Sequence, residues 1–327
     1  MAIDRRTVLA GLGGAGLLGL TACGSGQTGG AAADGVRIRH KFGITTVARK
    51  PRRVVSLGTT DHDVALELGV TPVSIANFVG TPTGVGPWAE RQLGRARPQL
   101  YVNGTSDISL EGVAKLRPDL ILAVQNDLTK DRYDKLSQLA PVVAAPAGYI
   151  DWGVPWDKQA RAIATALWQQ SRADGLVAGV NDRFSQARKA NLAFAGKTVV
   201  VASVYSAAAG TYNAYTRQDG RMQFMAALGL KPAPRVDALG TSRFTVPISR
   251  EKADLMEADL VVIISFDATS AKAVDTDQIF NGLNVARRKA VIRLSLQDEG
   301  LAMSCNDVLS IPYALDRLVP KMAAALH

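Results

Sequence analysis

Two stretches of this chain repeat each other, and the repeat limits the possible folds more than any other feature. Ile108-Ser109-Leu110-Glu111 leads into Leu116-Arg117-Pro118-Asp119-Leu120-Ile121-Leu122, and Ile248-Ser249-Arg250-Glu251 leads into Leu255-Met256-Glu257-Ala258-Asp259-Leu260-Val261-Val262. Glu251 stands 140 residues after Glu111, and Asp259 stands 140 after Asp119. Each copy reads as a Ser N-cap, a Glu in the first helical turn, then an apolar run of strand type. A second pair follows the same order. Ala65-Leu66-Glu67-Leu68-Gly69-Val70-Thr71-Pro72 resembles Met225-Ala226-Ala227-Leu228-Gly229-Leu230-Lys231-Pro232, each a helix end with a Gly cap and a Pro beyond. A duplicated lobe accounts for both matches.

Strand candidates alternate with helices in both halves. They are Arg53–Leu57, Val73–Ala76, Leu120–Val124 and Val142–Ala145 in the first, and Thr198–Val204, Arg235–Leu239, Leu260–Ser265 and Val291–Leu294 in the second. Continuous β-branched runs between helices argue for parallel sheets covered on both faces. Between the halves, Pro155 to Ala193 is almost free of turn signals. Pro155 suits a helix start; Ala160, Ile163 and Leu167 share one face, and Leu176, Val180, Phe184 and Ala187 continue a helical period. The predicted fold is α/β: two doubly wound lobes with parallel sheets, joined by one long helix. The predicted limits are a signal at 1–22, a tether at 23–40, an N-terminal lobe at 41–154, a helical segment at 155–193 and a C-terminal lobe at 194–327.

The N-terminus reads as an export signal: Arg5-Arg6, then a glycine-rich apolar run from Leu9 to Leu20, then Leu20-Thr21-Ala22-Cys23. The arginine pair looks like the twin-arginine subtype, and Leu-Thr-Ala-Cys looks like a bacterial lipobox, in which Cys23 is lipidated and becomes the first mature residue. The apolar run is shorter than the roughly 18 residues of a spanning helix. The mature protein is thus expected to be exported and tethered to the outer face of the cytoplasmic membrane. Gly11-Leu12-Gly13-Gly14-Ala15-Gly16 spells a dinucleotide-binding string, but it follows no strand and lies in the removed segment.

A hydrophobic fraction of 47% with 20% charged residues is globular, not disordered. A formal net charge of +9 would permit nucleic-acid binding. The basic residues are scattered, however, with only short clusters such as Arg52-Arg53 and Arg287-Arg288. The charge suits an anionic small ligand or an acidic envelope surface better. Of two cysteines, lipidation of Cys23 leaves Cys305 alone, so no disulfide is expected.

Lys50-Pro51-Arg52-Arg53-Val54-Val55-Ser56-Leu57, the Leu66 to Val73 string and the Leu116 to Ile121 string together resemble the helical-backbone (class III) substrate-binding proteins of ABC importers, which serve ferric siderophores, haem and cobalamin. Val308-Leu309-Ser310-Ile311-Pro312-Tyr313-Ala314-Leu315-Asp316 resembles the C-terminal string of the ferric-siderophore branch, closest to actinobacterial iron-uptake lipoproteins. The resemblance runs from about Phe42 to the C-terminus. It implies a monomer of two lobes with the ligand in the cleft between them, delivered to a permease dimer with its ATPase. It implies no cofactor, with iron present only inside a bound ferric siderophore.

Open parallel sheets also bind by themselves outside the carboxyl ends of their strands. Those ends hold Thr59, Thr60, Phe78, Gln125, Asn126 and Trp152 in the first lobe, and Tyr205, Arg243, Phe244 and Phe266 in the second. Trp88 lies in a Gly/Pro-rich loop. Tyr212, Tyr215 and Arg217 lie in a segment read as opening a helix. Aromatic faces with arginines suit a large, flat, anionic ligand. Tyr205, Phe244 and Phe266 equally suit packing, Arg221 suits a solvated helix face, and Trp156 and Trp168 suit structure. By resemblance to the cobalamin-binding relatives, Glu111 and Glu251 are expected to dock on the two permease subunits; locally, each would also offset a helix dipole.

Three histidines far apart, His40, His62 and His327, argue against a metal receptor. No nucleophile elbow, phosphate loop or paired-cysteine site points to an enzyme. Asp61, His62 and Asp63 read as capping the first helix. Haem is the nearest alternative ligand, with His62 or Tyr205 as an axial candidate.

Overall fold

The structure is a computed structural model that describes residues 35–78, 80–102, 109–205, 210–240 and 242–327. The expectations for Arg5, Arg6 and Cys23 fall outside the described residues. The chain starts with a hairpin of β1 (Val36–His40) and β2 (Gly43–Val47), which takes up the last part of the expected tether. Ile38 and His40 are buried while Arg37 and Arg39 face solvent, so the strand alternates as a half-buried edge does.

The first lobe holds β3 (Val54–Ser56), β4 (Ser74–Asn77), β5 (Gln99–Val102), β6 (Leu120–Ala123) and β7 (Val142–Ala144), ordered β5-β4-β3-β6-β7. Every neighbouring pair is parallel. The second lobe holds β8 (Thr198–Val204), β9 (Thr211–Tyr215), β10 (Lys231–Pro232), β11 (Thr245–Ser249), β12 (Leu260–Ser265) and β13 (Val291–Ser295), ordered β11-β9-β8-β12-β13. Here β8, β12 and β13 are parallel, while β9 runs antiparallel to both β8 and β11. In each sheet the winding direction reverses beside the first strand, between β3 and β6 and between β8 and β12. A crevice opens at such a reversal.

The two lobes use their matched aspartates identically. The Asp119 carboxylate accepts the backbone N–H groups of Arg52 and Arg53, at 2.7–3.1 Å, ahead of β3. The Asp259 carboxylate accepts the Thr198 N–H at 2.8 Å at the head of β8. The matched helix ends agree too: Gly69 and Gly229 both take positive φ, 76° and 94°, closing helices Asp61–Glu67 and Gly220–Ala227.

Helix Trp156–Ala166 buries Ala160 and Ile163, with Leu167 buried just beyond its end. Helix Gln170–Ala190, 21 residues and therefore about 31 Å long, follows. Near its start, Arg172 Nη1 donates to the Leu68 carbonyl at 2.8 Å; near its end, Arg188 donates to the Ala227 carbonyl. The long helix thus grips the two matched helix ends, one in each lobe. Phe184 packs edge-on against Phe224, rings 5.5 Å apart.

Two local expectations are corrected. Arg235–Leu239 is not a strand; Pro234 sits at the first position of a short helix, Pro234–Asp237, and the flank of β8 is already taken by β9 and β10. Tyr212–Arg217 does not open a helix: Thr211–Tyr215 is strand β9, with Tyr212 and Ala214 buried on one face and the helix delayed to Gly220. No helix among the described residues is long and apolar enough to cross a membrane.

Candidate ligand-binding cleft

A cavity of about 310 Å³ lies where the two reversal points face each other. From the first lobe come Thr59 and Thr60, which follow β3, and Gln125, which follows β6. From the second come Tyr205, which follows β8, and Phe266, which follows β12. Phe78, Trp152, Tyr215 and Phe244 complete the aromatic wall.

The first-lobe side is braced from below. Asp61 accepts the backbone N–H groups of Val124 (2.6 Å) and Gln125 (3.1 Å), and Gln159 Nε2 donates to both Thr60 Oγ1 and Asp61 Oδ1 at 2.9 Å. Asp61 therefore fixes the β6 loop rather than capping its own helix. The fit needs Gly58, because a Cβ there would lie 2.1 Å from the Asp61 carboxylate. Asn126, buried, donates to the Leu57 carbonyl at 2.8 Å and lies behind the wall, not in it.

Arg221 is the charged centre of the second-lobe side, contrary to its reading as a solvated helix face. It is only 9% exposed. Its Nη1 donates to Asp219 Oδ2 at 2.8 Å and its Nε to Ser304 Oγ at 2.9 Å; its guanidinium lies 4.0 Å over the Tyr215 ring. Burial alone would lower the Arg221 pKa, but Asp219 and Tyr215 leave it above its ordinary value. Burial raises the Asp219 pKa against the pull of Arg221. Asp219 also caps helix Gly220–Ala227 by accepting the Arg221 N–H at 2.8 Å. Gly220 lets Asn306 approach, since a Cβ there would meet the Asn306 side chain at 3.1 Å. Sequence reasoning missed Asp219, Ser304, Cys305 and Asn306 as lining residues. The one available signal was an N-cap Asp two residues before an Arg.

Three large apolar side chains beside the cavity stay open to solvent: Phe78 (47%), Trp152 (38%) and Tyr205 (41%). Trp152 meets Phe244 edge-on at 5.9 Å and Tyr205 leans on Phe266 at 4.4 Å. Trp152 holds φ at 58°, a left-handed conformation that a bulky residue adopts only when its surroundings impose it. A second cavity, about 500 Å³, adjoins across Trp152 and Phe244 and carries Arg243 and Asp151.

Other candidates lie elsewhere. Trp88 is buried between elements: its indole N–H donates to Asp63 Oδ2 at 2.6 Å and its ring meets Tyr313 at 5.6 Å. Tyr212 points to the opposite face of β9 from Tyr215, donating to Asp277 at 2.7 Å and stacking on Phe280. Arg217 is exposed and paired with Asp237, its Nε 3.0 Å from Oδ1. Arg243 is exposed, on the adjoining cavity. Glu111 is exposed in helix Leu110–Lys115 and pairs with Lys115 at 2.7 Å; Glu251 is exposed in the matched short turn Arg250–Met256.

Beneath the cavity sits a sealed ionisable cluster. His62, Asp63 and Asp307 are 2%, 2% and 0% exposed. Asp307 Oδ1 accepts the N–H groups of Leu309 (2.8 Å) and Ser310 (3.0 Å). Asp63 Oδ1 and Asp307 Oδ2 have no hydrogen-bond partner; His62 Nε2 lies 3.4 Å from Asp63 Oδ1, and Asp307 is close enough to Asp63 to raise its own pKa. Two buried carboxyls side by side favour the protonated form, because burial and a neighbouring like charge both oppose ionisation. Burial pushes the Asp63 pKa to about 6 and holds Asp307 well above the usual range, with Asp63 beside it adding to the rise. Burial lowers His62 to about 4, against the pull of Asp307 and Asp61. His62 is walled off from the cavity, which removes it as an axial haem candidate. Among the described residues, no group of three or more His, Cys, Asp or Glu is arranged to hold a metal ion.

Comparison with known proteins agrees with this architecture. The periplasmic solute binding protein from Mycobacterium smegmatis str. MC2 155 aligns with a TM-score of 0.77 at 32% identity, over 89% of this chain and 99% of that one. Streptococcus pneumoniae TIGR4 PiaA in complex with ferrichrome aligns with a TM-score of 0.74 at 26% identity, over 89% of this chain and 98% of that one. The Fe(3+)-citrate-binding protein YfmC of Bacillus subtilis (strain 168) is 32% identical over 106 residues, 32% of each chain. The match thus spans about a third of that curated relative's length. The periplasmic binding protein family model matches residues 54–296, well over half the sequence, and the chain belongs to that family.

Proposed function

We propose that this chain is the extracytoplasmic substrate-binding protein of an ABC importer, that it holds a ferric siderophore in the interlobe cleft, and that it passes the complex to a permease. The observation that carries the reading is the set of six aromatic side chains that line one cavity with a buried arginine, contributed by both lobes. Aromatic faces supply area at low entropy cost and suit a bulky organic shell around a metal. PiaA, whose solved complex contains ferrichrome, shares the fold over 89% of this chain. The work is binding and delivery, with no chemical step.

Glu111 and Glu251, one exposed on each lobe, are the residues assigned to permease docking. Individually such contacts are weak, but two at a fixed separation act together. Export through Arg5-Arg6 and lipid attachment at Cys23 complete the proposal, resting on the sequence of residues 1–23. The test is titration of the purified protein with ferric siderophores, read by quenching of tryptophan and tyrosine fluorescence, beside a haem titration read by absorbance. Saturable quenching is expected with a siderophore. Saturable haem binding with no siderophore response would replace this reading with haem, for which Tyr205 is the exposed axial candidate.

A further inference from the structure

We infer that the cleft is selective for electrically neutral ferric complexes, of which ferric trihydroxamates are the chemical class, and against trianionic triscatecholates. This rests on the siderophore reading and narrows it. The sequence, with Arg217 and Arg243 among the candidate residues and Arg221 nearby, reads as a site for an anion. In the folded protein most of that charge is already spent. Arg217 pairs with Asp237 outside the cavity. Among the described residues, Arg221 is the only cation on the main cavity and is paired with Asp219, the only anion there. The adjoining cavity adds one arginine, Arg243, and one aspartate, Asp151, which is itself bound by Lys41 at 2.8 Å. The described groups lining both cavities sum to zero formal charge, and counting Lys41 beside Asp151 leaves one positive charge, well short of the three that a trianion would need. The undescribed stretches within residues 35–327 carry no Lys or Arg that could alter the count of cations.

Charge bookkeeping on the ligand then decides. Each hydroxamate loses one proton on binding iron(III), so three of them leave a neutral complex. Each catecholate loses two, so three leave a complex with three negative charges. Burying an uncompensated trianion among aromatic side chains forfeits its hydration with no matching cations to replace it. Arg221 could engage such a ligand fully only by releasing Asp219, leaving that carboxylate buried and unpaired. A neutral complex needs no such exchange. With Nε and Nη1 committed to Ser304 and Asp219, Arg221 Nη2 has no partner among the described residues and serves as one donor to an iron-bound oxygen.

The experiment measures fluorescence quenching by ferrichrome, a neutral trihydroxamate, and by ferric enterobactin, a triscatecholate, with the wild-type protein and with Asp219→Asn. Wild type is expected to bind ferrichrome at least roughly 100-fold more tightly, the scale of leaving one buried charge uncompensated. Its ferrichrome affinity should change less than about twofold as salt rises, because no net charge is neutralised. Asp219→Asn, which keeps an N-capping side chain, frees Arg221 and should narrow the gap by roughly tenfold or more. Equal or tighter enterobactin binding by wild type overturns the selectivity and leaves the siderophore reading standing. A saturable response to neither complex overturns the siderophore reading, and this inference with it.

Discussion

Replacing Asp307 with Asn should stabilise the protein at neutral pH and do little at pH 4. In the native state Asp63 and Asp307 are buried out of reach of water, where burial favours their protonated forms. Raised pKa values mean that the native state holds protons which the unfolded chain has already released. The stability this contributes is complete below the ordinary value of 3.8 and is lost as pH rises through the native values. For Asp63 alone the interval from 3.8 to about 6, at about 1.4 kcal/mol per pH unit, comes to about 3 kcal/mol. Asp307 extends the loss to higher pH. An Asn amide at the same place keeps one oxygen for the Leu309 and Ser310 N–H groups and turns the other position into a permanent donor toward Asp63. The variant should therefore gain about 2–3 kcal/mol over wild type at pH 7.5 and less than about 1 at pH 4. His62 acts in the opposite direction: its contribution is present above 6.5 and lost as pH falls toward about 4. Asp307 is one of the groups that pull against this shift, so its replacement lowers the His62 pKa further and costs the variant stability only at low pH, which steepens the expected trend. Urea unfolding followed by circular dichroism at pH 4.0, 5.5 and 7.5 measures that trend. A variant-minus-wild-type stability that is flat with pH, or that falls as pH rises, refutes the raised carboxyl pKa values.

Arg243→Ala tests whether the ligand reaches the adjoining cavity: loss of a charged hydrogen bond there should weaken binding by about 1.5–3 kcal/mol, measured by quenching, and unchanged affinity removes Arg243 from the site. The double variant Glu111→Ala, Glu251→Ala should keep ligand affinity and lose cellular uptake; normal iron uptake ends the docking assignment. Cys23→Ala should move the protein from the detergent to the aqueous phase of a partition experiment. Wild type found in the aqueous phase removes the lipid anchor.

The sequence by itself determined the architecture and the ends of its strands. Continuous apolar runs can only be buried on both faces, and Gly after a helix run marks its end, so the parallel sheets, the duplicated Asp119 and Asp259 and the long helix were all legible from local pattern. The short strand β5 and the β10 pairing were not, because two to four residues leave too little pattern to read. The antiparallel β9–β11 pair was not, because Tyr212–Arg217 reads locally as a helix start. Within the site, Thr59, Thr60, Gln125, Tyr205 and Phe266 reach the cavity because each lies just beyond the carboxyl end of a strand, whereas Phe244 reaches it from the amino end of β11. Which polar groups remain free for a ligand was decided only by tertiary contact. Asp237 holds Arg217, Asp277 holds Tyr212, Asp63 holds Trp88, and Asp219 holds Arg221. Three of these four pairs join residues 20 or more positions apart, and a side chain's charge or hydrogen bond is available to a ligand only when no such partner has claimed it first.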